Sequence, residues 1–114
     1  MTNVLFICSA NRLRSPTAEQ VFSTWPGIEV DSAGISNGAS VVLSSDQVDW
    51  ADMIFVMEKS HRNKLMRQFR ERLKNKRVIC LDIPDDYEFM DSTLVHMLER
   101  RVGRFLPQPA PGIR

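Results

Sequence analysis

The chain has little of what would mark it as a secreted, metal-binding or membrane protein. It holds two cysteines, Cys8 and Cys80, in 114 residues. That is too few for a disulfide framework, and neither lies in a C-x-x-C pair. His61 and His96 have no metal-ligand spacing either, so no metal or other cofactor is expected. No apolar run approaches the roughly 20 residues that cross a bilayer. An excess of one charge is also missing: 15 basic and 14 acidic residues leave a formal net charge of +1, with no global attraction to nucleic acid or membrane. The apolar opening stretch lacks a basic leader and is too short for a secretory signal. The expected compartment is therefore the reducing cytoplasm, where both thiols stay free.

What is present reads as one globular domain. Hydrophobic residues make up 43% and charged residues 25%, ordinary values for a chain able to bury a single core. The domain is expected over residues 1–106, followed by a proline-rich tail, 107–114, that cannot be helical. Residues 4–7 form a continuous apolar run, as in a strand buried on both faces. Ser15-Pro16 predicts a helix start with serine as cap and proline in the first turn. Ala18, Val21, Phe22 and Trp25 then recur at helical spacing until Pro26-Gly27 ends the segment. Further strands are expected at 28–32, 53–57 and 77–81. Helices are expected at 59–73 and along a last segment with Leu94, Val95, Leu98, Val102 and Phe105 facing the core. Residues 35–45 read as a loop, and 46–49 as no more than a helical turn. Strands alternating with helices predict an α/β fold, a parallel sheet in a three-layer arrangement with helices on both faces.

In such folds ligands bind beyond the carboxyl ends of the strands. Cys8, Ser32, Glu58 and the acidic stretch 82–86 all fall at strand ends, so the candidate chemistry gathers at one edge. The segment Cys8-Ser9-Ala10-Asn11-Arg12-Leu13-Arg14-Ser15 joins a strand to a helix. A turn of this kind points successive amides and a helix N-terminus at a bound anion, and the same surroundings favour Cys8 as thiolate. Arg14 can offer a planar fork to two phosphate oxygens. Ser15 can donate to the sulfur, and Asn11 can tie the loop to itself or to Ser32. A nucleophile and a clamp on one anion describe attack on phosphorus through a cysteinyl-phosphate.

Cys8 to Arg14 with Ser15-Pro16 resembles the phosphate loop of the low-molecular-weight protein tyrosine phosphatases, C-x5-R-S-P. Ala18-Glu19, Asp31-Ser32-Ala33-Gly34, the stretch from Trp50 to Met57 and Ile83-Pro84-Asp85-Asp86-Tyr87 are similar to that family's later segments, in the same order. The resemblance implies a four-stranded sheet of order 2-1-3-4. It implies catalysis by Cys8, Arg14 and Asp85, the last as general acid in preference to Asp86. Substrate contacts are expected from Ser9, Ala10, Asn11, Arg12, Leu13, Ser15 and Tyr87. The partner implied is a phosphorylated substrate, either a phosphotyrosine protein or a small phosphomonoester. The chain departs from the family pattern at Ala10, usually glycine, and at Leu13, usually a second cysteine. The region between Gly34 and Trp50 is shorter than usual; it normally supplies an aromatic pocket wall and a histidine that supports the loop asparagine.

Other readings have sequence features that weigh against them. A phosphoryl carrier of the sugar-transport IIB type shares Cys-Ser-Ala but needs neither Arg14 nor Asp85. An arsenate reductase needs further redox cysteines, and a phospho-ligand binder would not need to retain an acid. A nucleotide or other non-protein phosphate stays open as substrate. Residues 59–77 hold nine basic residues and one acid, Glu71. That is ordinarily a solvated helix face, though it leaves an acidic protein or nucleic acid open as partner. Arg12, inside the loop, is expected at the pocket mouth, against a second negative group on the substrate. Cys80 is expected to be a packed core thiol, and His61 and His96 surface or helix-packing residues.

Overall fold

A computed structural model describes residues 1–107; residues 108–114, most of the expected tail, lie outside the described residues. Four parallel strands, β1 (Thr2–Cys8), β2 (Ile28–Gly34), β3 (Met53–Val56) and β4 (Arg77–Cys80), form one sheet in the order β2-β1-β3-β4. Four α-helices connect or follow them: α1 (Arg14–Phe22), α2 (Ser45–Trp50), α3 (Lys59–Phe69) and α4 (Ser92–Gly103). This is the α/β fold and strand order expected from the sequence.

The apolar run of β1 is explained by its central place. Val4, Phe6 and Cys8 point to one face and Leu5 and Ile7 to the other, as strand alternation requires. On the first face Phe6 stacks between Phe22 of α1 and Phe55 of β3, and Leu94, Met97, Leu98 and Val102 of α4 close the layer. On the second, Val48 of α2 and Leu65 of α3 cover Ile7, Ile54 and Val56. Two cores therefore sandwich the sheet.

Several boundaries differ from the sequence-based expectation. β2 runs on to Gly34 because all seven of its residues pair with β1. The stretch 46–49 is part of a full short helix, α2, set by a capping box: Gln47 N donates to Ser44 Oγ (3.2 Å) and Ser44 N to Gln47 Oε1 (3.1 Å). α3 stops at Phe69 and tightens into a 3₁₀ turn over Arg70–Leu73, which lets Leu73 still reach the core. Asp91 caps α4 through Thr93 N and Leu94 N. In that helix Met97 is buried and Val95 only partly so. Ser15 does not cap α1: the helix begins at Arg14 with Leu13 as cap. Its hydroxyl turns away from the helix end, towards Cys8.

Candidate active site

Each strand ends at the same edge of the sheet, and β1 delivers Cys8 to its centre. The chain then reverses through the loop into α1. Carbonyls of Cys8, Ser9 and Ala10 accept from Ile35, Ser36 and Ser40 amides at 2.9, 3.1 and 3.0 Å. Because a trans peptide directs N–H opposite to C=O, the amides of Ser9, Ala10 and Asn11 face the other way, into the loop. The segment expected to be a bare loop, 35–45, thus serves as a brace. Gly34 lets it approach: a Cβ there would collide with Ala39 Cβ and lie 2.6 Å from Ser9 O.

Beneath the loop runs a chain of side-chain hydrogen bonds. Asn11 is held at φ 54°, a conformation asparagine tolerates better than most residues. Its amide donates to Ser15 Oγ (2.9 Å) and Ser32 Oγ (3.0 Å). Ser32 in turn donates to Glu19 Oε1 at 2.5 Å. With Asn11 as its donor, Ser15 Oγ lies 3.0 Å from Cys8 Sγ, with Ala33 O a more distant acceptor for its hydrogen at 3.4 Å. Glu19 therefore anchors the end of the network, a role the sequence did not disclose.

Arg14 is 2% exposed. Its Nη1 donates to Glu58 Oε2 (2.5 Å) and to Ile83 O (2.8 Å), while Nε lies 3.7 Å from Asp85 Oδ1. Glu58, just after β3, neutralises a guanidinium that burial alone would not tolerate, and leaves its Nε edge towards the cavity. The sequence puts Glu58 at the site edge but not on Arg14; a lone acid at a strand end, ahead of a basic helix, is the available signal for the pairing. Glu58 is held in turn by His61, whose Nδ1 accepts the Glu58 amide at 3.2 Å. His61 is buried and packs within the fold, so the helix-packing alternative holds for it. Burial, and then the Arg14 charge, hold its pKa below the usual 6.5.

The cavity above Cys8 has a volume of about 190 Å³ and is lined by Cys8, Ala10, Arg12, Leu13, Arg14 and Asp85. Arg12 stands exposed at its mouth and, among the described residues, has no ion-pair partner. Asn11 and Ser15 lie behind the cavity rather than in its wall. Ser9 gives its carbonyl to the brace. Tyr87 is half-buried and packs against the α1/α4 core, away from the lining, because that apolar layer offers its ring more contact than the polar loop edge. Asp86 is exposed and outside the lining too. Cys80 is only partly buried at the sheet edge, with its S–H 3.5 Å from Asp82 Oδ1, not enclosed in the core as expected; burial nonetheless raises its pKa. It faces the opposite core from Cys8, so the two thiols are separated by the sheet. Among the described residues no cluster of His, Cys, Asp or Glu is arranged to hold a metal, and no helix is long and apolar enough to cross a membrane.

Comparison with known proteins agrees with this geometry. Residues 3–42, which contain the loop and its brace, match the model of the low molecular weight phosphotyrosine protein phosphatases. A protein-arginine-phosphatase of Geobacillus stearothermophilus is 28% identical over 92 residues, covering 60% of this chain and 62% of the relative. The chain thus spans less than two thirds of that relative in the alignment. Solved structures share the fold over nearly the whole chain. The low molecular weight protein tyrosine phosphatase of Streptococcus pyogenes has a TM-score of 0.77 at 16% identity, covering 95% of each chain. The arginine phosphatase YwlE of G. stearothermophilus gives 0.74 at 21%, covering 92% of this chain and 93% of that one. The tyrosine phosphatase Wzb of Escherichia coli K30, in complex with phosphate, gives 0.74 at 22%, covering 90% and 94%. Fold and loop together define an α/β protein with a four-stranded parallel sheet and a strand–loop–helix turn at the end of β1. The chain therefore shares its fold with low molecular weight phosphatases, and its first third is similar to the low molecular weight phosphotyrosine protein phosphatase family.

Proposed function

We propose that this protein is a cysteine-dependent phosphatase that hydrolyses phosphomonoesters through a cysteinyl-phosphate. The observation that carries this reading is Cys8 Sγ at the floor of the loop cavity, 3.0 Å from Ser15 Oγ, with Arg14 and Asp85 in the same wall. Cys8 as thiolate attacks phosphorus, forming S–P as the P–O bond to the leaving group breaks. Arg14 and the loop amides hold the non-bridging oxygens as charge gathers on them. Asp85, 61% exposed at the mouth, gives its proton to the departing oxygen. A water then attacks the phosphorus, yielding its proton to the Asp85 carboxylate. Phosphate forms and the thiolate leaves, stabilised by the Ser15 hydroxyl. Ser9, Ala10, Asn11, Arg12 and Leu13 shape the phosphate site in this reading.

The substrate class is drawn from the wall of the cavity. No aromatic residue lines it, and Arg12 adds a positive charge at the mouth. A phosphoryl group with a second negative group nearby fits this entrance better than a lone aryl ring. The related arginine phosphatase raises N-phosphorylated arginine as a second candidate, but Arg12 would repel its cationic leaving group.

Steady-state hydrolysis of para-nitrophenyl phosphate tests the chemistry. Continuous turnover is expected, with a loss of at least about a thousandfold in Cys8→Ser. A single stoichiometric burst without turnover would instead mark a phosphoryl carrier, and turnover retained in Cys8→Ser would remove the mechanism altogether.

A further inference from the structure

The near-neutral charge of the chain hides a strong segregation. Residues 1–58 hold two basic and seven acidic residues, whereas residues 59–114 hold thirteen basic and seven acidic. A total of +1 is therefore −5 in one half and +6 in the other. The strand order puts β2, from the acidic half, at one edge of the sheet and β4, from the basic half, at the opposite edge.

Between β4 and the end of α4 lies a cleft of about 520 Å³, larger than the catalytic cavity and lined by none of its residues. Its charged lining is Arg100, Arg101 and Arg104 against one acid, Asp82. Arg101 Nη1 is fixed by donating to Leu81 O (2.8 Å) and Asp82 O (3.1 Å), neutral acceptors that leave its charge uncompensated. Arg104 and Arg77 rest on the Phe105 ring, 4.9 and 5.3 Å from its centroid. Such stacking holds a guanidinium while leaving its in-plane donors free. None of these four arginines is in an ion pair among the described residues.

The same cleft runs along an open strand. β4 pairs with β3 alone. Arg77 N and Leu81 N turn inward, to Asp52 O and Val56 O, so by alternation the amides of Val78 and Cys80 point outward. An open edge can take an added strand, and the arginines beside it select the charge of that strand. Nucleic acid could satisfy the arginines but not the strand edge.

We propose that the β4–α4 cleft docks an extended acidic segment of a partner polypeptide, which adds a strand to β4 and sets its carboxylates on Arg100 and Arg104. This is independent of the phosphatase reading, so binding rather than turnover tests it. A fluorescein-labelled glutamate-rich peptide without phosphate is titrated into the full chain by anisotropy, alongside a single-stranded oligonucleotide of equal charge. The Arg100→Ala/Arg104→Ala variant should bind the peptide about tenfold more weakly. In the wild type the peptide should slow hydrogen exchange at the Val78 and Cys80 amides. Because Arg104 braces Phe105, Arg100→Glu serves as a second variant with a single exposed change, and it should weaken binding as well. Unchanged affinity in Arg100→Glu, equal binding of the oligonucleotide, or no protection at 78 and 80 would each overturn the proposal. So would self-association of the unliganded protein that these substitutions abolish, since the occupant would then be a second copy.

Discussion

At the residue scale, the site depends on which carboxylates meet which cations. Asp85 and Asp86 are neighbours, yet only Asp85 reaches the cavity wall, near Arg14 Nε. Asp85→Asn is therefore expected to lower kcat for an aryl phosphate by about a hundredfold, the usual weight of a general acid, while Asp86→Asn stays within about twofold. Parallel kinetics of both variants check this, and full activity in Asp85→Asn would sink the assignment. Arg12, exposed at the cavity mouth, calls for a different measurement. Arg12→Ala should reduce kcat/KM for phosphopeptides with flanking acids about five- to tenfold more than for a bare aryl phosphate, the weight of one charge-assisted contact. An equal effect on both substrates would show that Arg12 does not read a second charge. The segment from Cys8 to Ser15 was legible because its parts are contiguous: a strand, a turn and a helix start within about a dozen residues. Glu58 and Glu19 were not legible as partners, because Arg14 lies 44 residues from the first and Ser32 lies 13 from the second. Charge pairing over such spans leaves no local pattern.

At the element scale, the segment after β2 braces the loop instead of walling the cavity. It offers neither an aromatic residue nor a histidine, and instead laces its amides to the loop carbonyls. The Asn11 side chain is satisfied by Ser15 and Ser32, so no histidine is required there. This arrangement needs Gly34 without a Cβ. Gly34→Ala is expected to destabilise the fold by about 3 kcal/mol, the upper part of the range for overpacking against fixed backbone. It should also displace Ser9 and so lower kcat. Urea melts and turnover measured on one preparation check both effects; a melt unchanged within error would mean that the brace can shift away. α2 leaves little mark in the hydrophobic pattern. Six residues are too few for periodicity to register, whereas the Ser44–Gln47 capping box that starts it is a two-residue signal.

At the scale of the whole molecule, stability and pH meet at His61. Its folded pKa lies below 6.5 because it is buried and near Arg14. The unfolded chain therefore binds the proton first as pH falls. The contribution of neutral His61 is fully present above 6.5, declines as pH drops below that value, and is lost once pH passes through the lowered folded pKa. Protonation also removes the Nδ1 acceptor for the Glu58 amide, loosening the residue that holds Arg14. Denaturant midpoints between pH 8 and pH 5 should fall for the wild type and fall less steeply for His61→Gln. Parallel slopes in the two proteins would show that other groups carry the dependence.

Sequence alone determined the alternation of strands and helices, the two-faced burial of β1, and the strand–loop–helix segment that carries Cys8 and Arg14. Each of these is written in neighbouring residues, through hydrophobic period, turn chemistry and helix-start signals. Resemblance to a family supplied the strand order and the choice of Asp85. Only the tertiary structure decided that Glu58 neutralises Arg14, that Tyr87 packs into the core, and that Arg77, Arg100, Arg101 and Arg104 gather beside an open strand. Those outcomes depend on how distant segments pack, where burial and charge compensation over the whole sheet outweigh any local preference.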